Sequence, residues 1–121
     1  MYTRKIELDP DCGIFLAMQV LGGKWKCCIL DAVGKGISRP SDIARYMPDA
    51  AARVIEMQLA ELLAFGMVER FTEDVYPKRS TYKLTALGET MLPILASIDK
   101  WGIDHADLIK ERMGMQAAKA V

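Results

Sequence analysis

The sequence has few of the residues on which most metal sites and catalytic relays depend. Its 121 residues contain one histidine, His105, and three cysteines, Cys12, Cys27 and Cys28. A site that needs two imidazoles is therefore excluded within one chain. The adjacent pair Cys27–Cys28 also lacks the C-x-x-C spacing that lets two thiolates close on zinc. We expect no metal and no other cofactor.

The common motifs of phosphate-binding and nucleophilic enzymes are missing too. The sequence contains no G-x-x-x-x-G-K-[ST], G-x-G-x-x-G or G-x-S-x-G pattern. Gly34-Lys35-Gly36 is too short a match for a phosphate cradle and is more typical of a turn. We therefore expect a protein that is not an enzyme.

Long apolar runs and an excess of one charge are also absent. No apolar run approaches the roughly 18 residues of a membrane span, and the first residues lack the apolar stretch of a signal peptide. The 16 basic and 16 acidic residues cancel, which excludes a histone-like coat and an acidic disordered tail. We expect a soluble cytoplasmic protein of one domain, 1–121, with no membrane partner and with thiols rather than disulfides.

The spacing of apolar residues predicts a mainly α fold with a small β-hairpin. Helices are predicted at 13–21, 24–33, 38–47 and 50–65, strands at 67–71 and 81–84, and a long helical segment at 86–113. Residues 1–11 are predicted to form an arm and 114–121 a tail. This order of elements is that of a winged helix-turn-helix domain with additional N- and C-terminal helices, in which 12–84 form the core.

A few residues are expected to fix the ends of these elements. Asp49 is predicted to cap the helix at 50–65, and Gly66 to end it in a left-handed conformation. Thr85 is predicted to cap the long helical segment. Pro93 should bend that segment or split it in two, because proline removes a backbone hydrogen bond.

Short motifs follow one another in a fixed order from residue 12 to residue 102. They are Leu21-Gly22-Gly23-Lys24-Trp25, Gly36-x-x-Arg39-x-x-Asp42-Ile43, Met47-Pro48, Leu59-x-Glu61-Leu62-x-x-x-Gly66-Met67-Val68, Pro77-x-Arg79-x-x-Tyr82-x-Leu84-Thr85-x-x-Gly88, Leu92-Pro93-Ile94 and Trp101-Gly102. In order and spacing this set resembles the HxlR-type winged helix-turn-helix regulators, which are related to the MarR group. The resemblance implies a transcriptional regulator that binds double-stranded DNA as a homodimer, and we expect a repressor acting at an inverted-repeat operator.

The sequence departs from the family pattern at several positions. Asp49-Ala50-Ala51 stands where the family usually has Gly-Ile-Ser, and Ala60 stands where an arginine is common. Pro40 replaces a usual aromatic residue, and Cys12-Gly13 replaces a proline or valine. These changes leave the fold prediction intact but bear on DNA sequence preference. They also support an alternative, a winged-helix protein-interaction module without DNA binding.

In the DNA-binding hypothesis, the helix predicted at 50–65 enters the major groove with its N-terminal half. Arg53 would pair with a guanine or a phosphate, and Glu56 would accept a hydrogen bond from cytosine N4. Gln58 lies on the flank nearer the core. Three apolar residues are candidates for contacts with thymine methyl groups: Ala51, Ala52 and Met57.

Other basic residues are candidates for contacts with the DNA backbone and the minor groove. Lys24, Arg39 and Arg45 are predicted to anchor phosphates, and Lys78 and Arg79 to enter the adjacent minor groove. The alternative for each is an ordinary solvated charge, and Arg39 could instead cap a helix or pair with an acidic neighbour, Asp42. Residues 24–83 carry ten basic and eight acidic residues, so modest non-specific affinity and strong salt dependence are expected.

An apolar stripe on the long helical segment predicts a homodimer interface. Its residues are Leu87, Met91, Leu95, Ile98 and Trp101. Two copies that bury this stripe would place their helices at 50–65, which would read the DNA sequence, about 34–36 Å apart, one turn of DNA. The alternative is that the stripe packs only within its own chain.

Two kinds of signal are hypotheses. Cys12 precedes the first helix, where a thiol is favoured to ionise and react, which predicts a redox or electrophile switch; the alternative is a buried small apolar residue. A small-molecule effector would occupy a pocket near Phe15, Met18 and Trp101.

The two remaining cysteines and the histidine are placed from the helical pattern alone. Cys28 is expected in the core with Trp25 and Ile29, while Cys27 lies beside that face and is left undecided. His105 is expected at the surface.

Overall fold

The computed structural model describes residues 10–115. Most of the predicted arm, 1–11, and most of the predicted tail, 114–121, lie outside the described residues. In chain order the elements are α1 (Gly13–Leu21), α2 (Lys26–Gly34), α3 (Pro40–Tyr46), α4 (Ala52–Ala64), β1 (Val68–Thr72), β2 (Ser80–Leu84), α5 (Ala86–Glu89), α6 (Leu92–Asp104) and α7 (Ala106–Arg112). The predicted mainly α fold with one small antiparallel hairpin is confirmed.

Helices α2, α3 and α4 pack around one apolar core. On α4 the residues Ile55, Leu59 and Leu62 recur at helical spacing and are buried. Ile29 on α2 and Ile43 on α3 are fully buried against them. The opposite face of α4 is left on the outside of the protein.

The hairpin is fixed beside the start of α3. Its strands pair from Val68 with Leu84 to Thr72 with Ser80. The backbone N–H of Tyr82 donates to the carbonyl of Ser38 at 2.8 Å, which ties β2 to the segment that leads into α3. The hairpin, which we call the wing, therefore stands next to the N-terminal end of α3.

Gly66 and Thr85 act as predicted. Gly66 has φ +77° and ends the α4 segment in the left-handed region. The Thr85 hydroxyl oxygen accepts from the backbone N–H of Gly88 at 3.0 Å and caps α5. A methyl group on Gly88 would lie 2.1 Å from the carbonyl oxygen of Met67, so this turn requires glycine.

The predicted Asp49 cap is wrong. α4 begins at Ala52, its N-cap is Ala51, and no side chain caps it. Ala50 is buried in the core and donates its N–H to the carbonyl of Met47 at 3.0 Å. Because the turn uses Ala50 for packing, the helix starts two residues later than predicted, and Asp49 stays exposed outside it.

The predicted C-terminal helical segment is broken at two points, whereas at most one break was predicted. The first break falls at Thr90–Met91, and Pro93 lies in the first turn of α6, where a missing N–H costs no hydrogen bond. A second break, not predicted, falls at His105, whose ring stacks on Trp101 at 4.7 Å between centroids. His105 is exposed, as expected.

The prediction that Cys28 lies in the core is wrong. The buried face of α2 runs through Lys26, Ile29, Leu30 and Val33, and Cys28 lies at its edge, exposed. Cys27 is half-buried and packs against the core. Cys28 therefore lies at the surface of α2, and Cys27 lies at the boundary between the surface and the core.

The membrane-span criteria are not met by any single helix of the described residues. α1 and α2 meet them only when taken together, and they are bent by 75° relative to each other. Five of the nine residues of α2 are buried, as in the core helix of a folded domain.

Candidate nucleic-acid interface

The outer face of α4 carries the residues predicted to read DNA. Ala52, Arg53, Glu56 and Met57 are all exposed, Met57 by 54% of its surface, and Ala51 is exposed at the N-cap. The exposed and buried residues alternate at helical spacing, so this face is continuous. The arrangement leaves the N-terminal half of α4 free to enter a groove as wide as the DNA major groove.

Gln58 faces inward, as its predicted flank position indicated. It is buried, and a methyl group on Gly23 would lie 3.4 Å from its Nε2 atom. Its Oε1 atom has no hydrogen-bond partner among residues 10–115. Gln58 therefore contacts the α1–α2 loop and not a groove. Lys24, in the same loop, is exposed with its ammonium 5.0 Å from the Trp25 ring centroid.

A pocket between the start of α3 and the wing brings three of the predicted cations together. Its volume is about 450 Å³. It is lined by Arg39, Pro40, Ser41, Asp42, Arg45, Arg79 and Ser80. We call these residues the arginine pocket. Lys78 is exposed on the hairpin outside this pocket, and Lys24 belongs to another part of the surface.

The ion pairs in the arginine pocket differ from the alternative predicted for Arg39. Asp42 pairs with Arg45, while Arg39 lies 4.0 Å from Glu73 on the hairpin. All four side chains are at least 40% exposed. Exposed pairs contribute about 0–1 kcal/mol, so a phosphate can compete with the carboxylates for these arginines.

Two hydroxyl groups of the arginine pocket were missed by the sequence analysis. Ser41 follows Pro40 in the first turn of α3, and Ser80 opens β2, where its hydroxyl lies 3.2 Å from that of Thr72. Serine hydroxyls are common partners of DNA phosphates. A hydroxyl beside a proline at a helix start was the available signal for Ser41, whereas Ser80 required the hairpin register.

An ion pair between a buried lysine of α2 and a half-exposed glutamate joins α2 to α4. The ammonium of Lys26 lies 2.7 Å from the Glu61 carboxylate, and the Lys26 side chain is only 8% exposed. The same ammonium lies 5.9 Å from the Phe65 ring centroid. Because Lys26 has lost most of its water, the Glu61 charge is its main compensation.

We expect Glu61→Gln to lower the free energy of unfolding by about 1–3 kcal/mol, because the amide keeps the shape but leaves a buried ammonium without a counter-charge. Thermal and urea unfolding measure the change. Asp104→Asn is the matched control, since it removes the carboxylate of the exposed Lys100–Asp104 pair at 2.7 Å and should cost less than about 1 kcal/mol. Equal losses in the two variants would contradict a special role for Lys26–Glu61.

The predicted dimer stripe divides into an inner and an outer part. Leu95 is only 7% exposed and Met91 packs against the chain's own core, so Leu95 does not belong to a free surface. Leu87, Ile98 and Trp101 are about half exposed or more. On α1 three further apolar residues are exposed: Ile14, Leu16 and Met18.

Cys12 lies at the N-cap of α1. Its Sγ accepts a weak hydrogen bond from the N–H of Phe15 at 3.4 Å, and the residue is half-buried. The pocket near Phe15, Met18 and Trp101 stays a prediction; in this structure Trp101 stacks on His105.

A hairpin wing beside an exposed helix of a helix-turn-helix unit defines the winged helix-turn-helix class of DNA-binding proteins. The family described as HxlR-like helix-turn-helix matches residues 20–110. The chain belongs to this family.

Named relatives agree with this assignment. The HTH-type transcriptional regulator YtcD of Bacillus subtilis (strain 168) is 34% identical over 92 residues, which cover 76% of this chain and 73% of YtcD. YkvN of the same strain, also an HTH-type transcriptional regulator, is 34% identical over 79% of this chain and 81% of YkvN. The structure of the redox regulator HypR in its reduced form superposes with a TM-score of 0.77 at 30% identity, covering 83% of this chain and 99% of that one. This chain is an HTH-type transcriptional regulator.

Proposed function

We propose that the protein is a homodimeric repressor that reads an inverted-repeat operator with the exposed face of α4. The observation that carries the proposal is that α4, which packs on α3 and β1, presents a continuous exposed face. The arginine pocket lies between the start of α3 and the wing. In this proposal residues 12–84 form the DNA-binding core and 85–113 the dimerisation helices. The proposal needs no cofactor.

Base reading comes from the N-terminal half of α4 in the major groove. The Arg53 guanidinium pairs with guanine O6 and N7, and the Glu56 carboxylate accepts from cytosine N4. Ala51, Ala52 and Met57 pack on thymine methyl groups. Because only one side chain in this set is cationic, sequence discrimination rests mainly on Arg53.

Backbone binding comes from the arginine pocket and the loops on either side of it. One phosphate enters between Arg39 and Arg79 and displaces Glu73 from Arg39, with the Ser41 and Ser80 hydroxyls as further donors. Arg45 and Lys24 contact neighbouring phosphates. Lys78, with Arg79, follows the minor groove, where a narrow groove concentrates negative potential.

Retention of genomic DNA by the purified protein tests the proposal directly. The protein is expected to retain fragments that share an inverted repeat, with half-site centres about 10–10.5 base pairs apart or a multiple of that spacing. Binding to such a fragment should weaken steeply as salt rises. A protein that retains no fragment at low salt would instead be the protein-interaction module.

The paired substitution Arg39→Ala/Arg79→Ala is expected to weaken binding to operator DNA and to unrelated DNA by similar factors, because phosphate contacts carry no sequence information. The slope of log affinity against log salt should become shallower by about 2 for each half-site. Fluorescence anisotropy at several salt concentrations measures both quantities. Lys110→Ala on α7 is the control and should leave both unchanged; a loss confined to operator DNA would contradict the assignment.

The dimer in this proposal forms through α1 and the C-terminal helices. The exposed residues Leu87, Ile98 and Trp101 supply its apolar surface, and Ile14 and Leu16 of α1 add to it. Burying this surface between two copies removes apolar area from water, at about 25 cal/mol per Å². Two reading helices held at a fixed distance then match the symmetry of an inverted repeat.

Cys12 is the proposed sensor of oxidants or electrophiles. HypR, described as a redox regulator, also has a solved oxidised form, which superposes with a TM-score of 0.72 at 32% identity. In this chain Cys12 caps α1 in the proposed dimer surface, so its modification would displace α1.

Diamide should abolish DNA binding in the wild type but not in Cys12→Ser, and an equal response in both would remove Cys12 from this role.

A further inference from the structure

A groove between α2 and α6 contains both remaining thiols. Its volume is about 390 Å³. It is lined by Cys27, Cys28, Asp31, Lys35, Leu95, Ala96, Ile98 and Asp99. We call it the dithiol groove. Leu95 and Ala96 form an apolar wall on α6, across the groove from Cys27 and Cys28 on α2.

The two cysteines of this groove remain available as free thiols. Neighbouring Cα atoms are about 3.8 Å apart across a trans peptide, shorter than the roughly 4.4–6.8 Å that disulfides usually span. Cys27 and Cys28 are successive residues within regular α2, so they do not bond to each other without breaking the helix. Cys28 is exposed and Cys27 half-buried, and a molecule in the groove reaches both.

The charges of the groove disfavour anions and thiolates. Asp31 and Asp99 are both in its lining, and the single cation, Lys35, is held at 2.9 Å by Asp31 and at 2.9 Å by the Tyr46 hydroxyl. Burial raises the pKa of the Cys27 thiol, and the neighbouring Cys28 raises it further. The groove therefore favours a neutral ligand, to which it presents the protonated Cys27 thiol beside Cys28.

We propose that the dithiol groove is a binding site for a neutral, monosubstituted trivalent arsenical, whose arsenic joins Cys27 and Cys28 while its organic group packs on the apolar wall of α6. Such a compound needs two sulfur ligands, because its third valence is occupied by carbon. Inorganic arsenite has room for a third sulfur. Residues 10–115 contain no group of three or more His, Cys, Asp or Glu side chains placed to hold one ion.

The reaction is an exchange of ligands without oxidation or reduction. The hydrated arsenical carries two hydroxyl groups on arsenic. Each thiol forms one As–S bond, one As–O bond breaks for each, and the thiol proton leaves with the hydroxyl group as water. The second bond forms within one molecule, so its effective concentration is high and the chelate is far more stable than a single As–S bond.

The groove lies at the joint between α6 and the winged core. α6 packs on α2 through Leu95, while Leu92 at its start packs so closely on Gly34 that a methyl group there would lie 2.8 Å away. A bound organic group pushes α6 away from α2 and so changes the spacing of the two reading helices. This consequence for DNA rests on the proposed function, whereas binding itself does not.

Phenylarsine oxide is the probe for binding, measured by intact-protein mass spectrometry on the full chain. We expect one adduct per chain in the wild type and in Cys12→Ser, stable to a monothiol and released by 2,3-dimercaptopropanol. Cys27→Ser and Cys28→Ser should each bind at least tenfold more weakly, and arsenite should bind the wild type at least tenfold more weakly than the probe. An adduct that survives in either serine variant, or that requires Cys12, would overturn the proposal.

A variant in which the groove is filled tests whether binding needs the groove as well as the two thiols. Ala96→Phe leaves both cysteines in place but fills the apolar side, and we expect at least a tenfold loss of phenylarsine oxide binding. Unchanged binding would show that the groove is not part of the site.

In the DNA assay, the probe should lower operator affinity of the wild type about tenfold and leave Cys28→Ser unaffected. If the probe still forms its adduct but leaves operator affinity unchanged, the binding site stands and only the proposed effect of α6 on DNA binding is contradicted.

Discussion

Ile98→Glu is expected to convert the proposed homodimer into monomers and to lower operator affinity by at least about 100-fold. Ile98 lies in the outer part of the α6 stripe and is about half exposed in the isolated chain, so the chain itself can fold with a carboxylate there. A dimer cannot bury that charge without a partner for it. Because two linked reading helices gain about 10²–10⁴ in avidity over one, separation of the copies removes most of the affinity. Sedimentation velocity and fluorescence anisotropy measure the two effects.

Ser97→Glu is the matched control, because it places the same carboxylate one residue earlier on the same helix and outside the stripe. It should leave both sedimentation and DNA binding near wild-type values. A soluble dimer in Ile98→Glu would show that the interface is elsewhere. Thermal unfolding of both variants distinguishes a failed interface from a failed fold.

Much of the fold could be predicted because local patterns and tertiary packing agree. The apolar spacing on α4 indicated the helix and its buried face, and the structure buries Ile55, Leu59 and Leu62 together. Gly66 and Thr85 were also predictable, since a left-handed residue and a hydroxyl cap follow from local chemistry. Both strands were placed within one residue of their observed ends.

The errors arise where tertiary packing overrides a local preference. The Asp49 side chain is of a type that often caps helices. Because Ala50 is buried in the core, however, the turn before α4 stays non-helical, and the helix begins at Ala52. Cys28 fitted an apolar stripe with Trp25 and Ile29, yet α2 is rotated so that Leu30 and Val33 face the core. A stripe of apolar residues in a short helix does not by itself specify which of two neighbouring faces is buried.

The candidate site could be predicted as a set of residues but not as an arrangement. The exposed residues of α4 followed from its periodicity. The meeting of Arg39, Arg45 and Arg79 in one pocket depends on the hairpin register and on the Tyr82–Ser38 hydrogen bond. Such contacts join segments about forty residues apart in a chain of 121 residues, and no local pattern encodes them.

Arg53→Ala is expected to lower operator affinity by about 1–3 kcal/mol for each half-site, roughly 5- to 150-fold, and to relax base preference at one position of the half-site. The physical reason is that a guanidinium makes two parallel hydrogen bonds with the O6 and N7 atoms of guanine. Arg53 is the cation of the exposed α4 face, so no neighbouring side chain on this face can replace it. Anisotropy with a series of operators, each changed at one base pair, measures the preference.

Arg53→Lys distinguishes reading of a base from neutralisation of a phosphate. Lysine keeps the charge but lacks the planar pair of donors. If Arg53 binds guanine, the lysine variant loses preference at one base pair while its salt dependence stays near that of the wild type. If Arg53 instead binds a phosphate, lysine restores most of the affinity, and the alanine variant weakens all operators alike with a shallower salt slope. The second pattern would assign base reading to Glu56 and the apolar residues of α4, and the expected specificity of the protein would then be low.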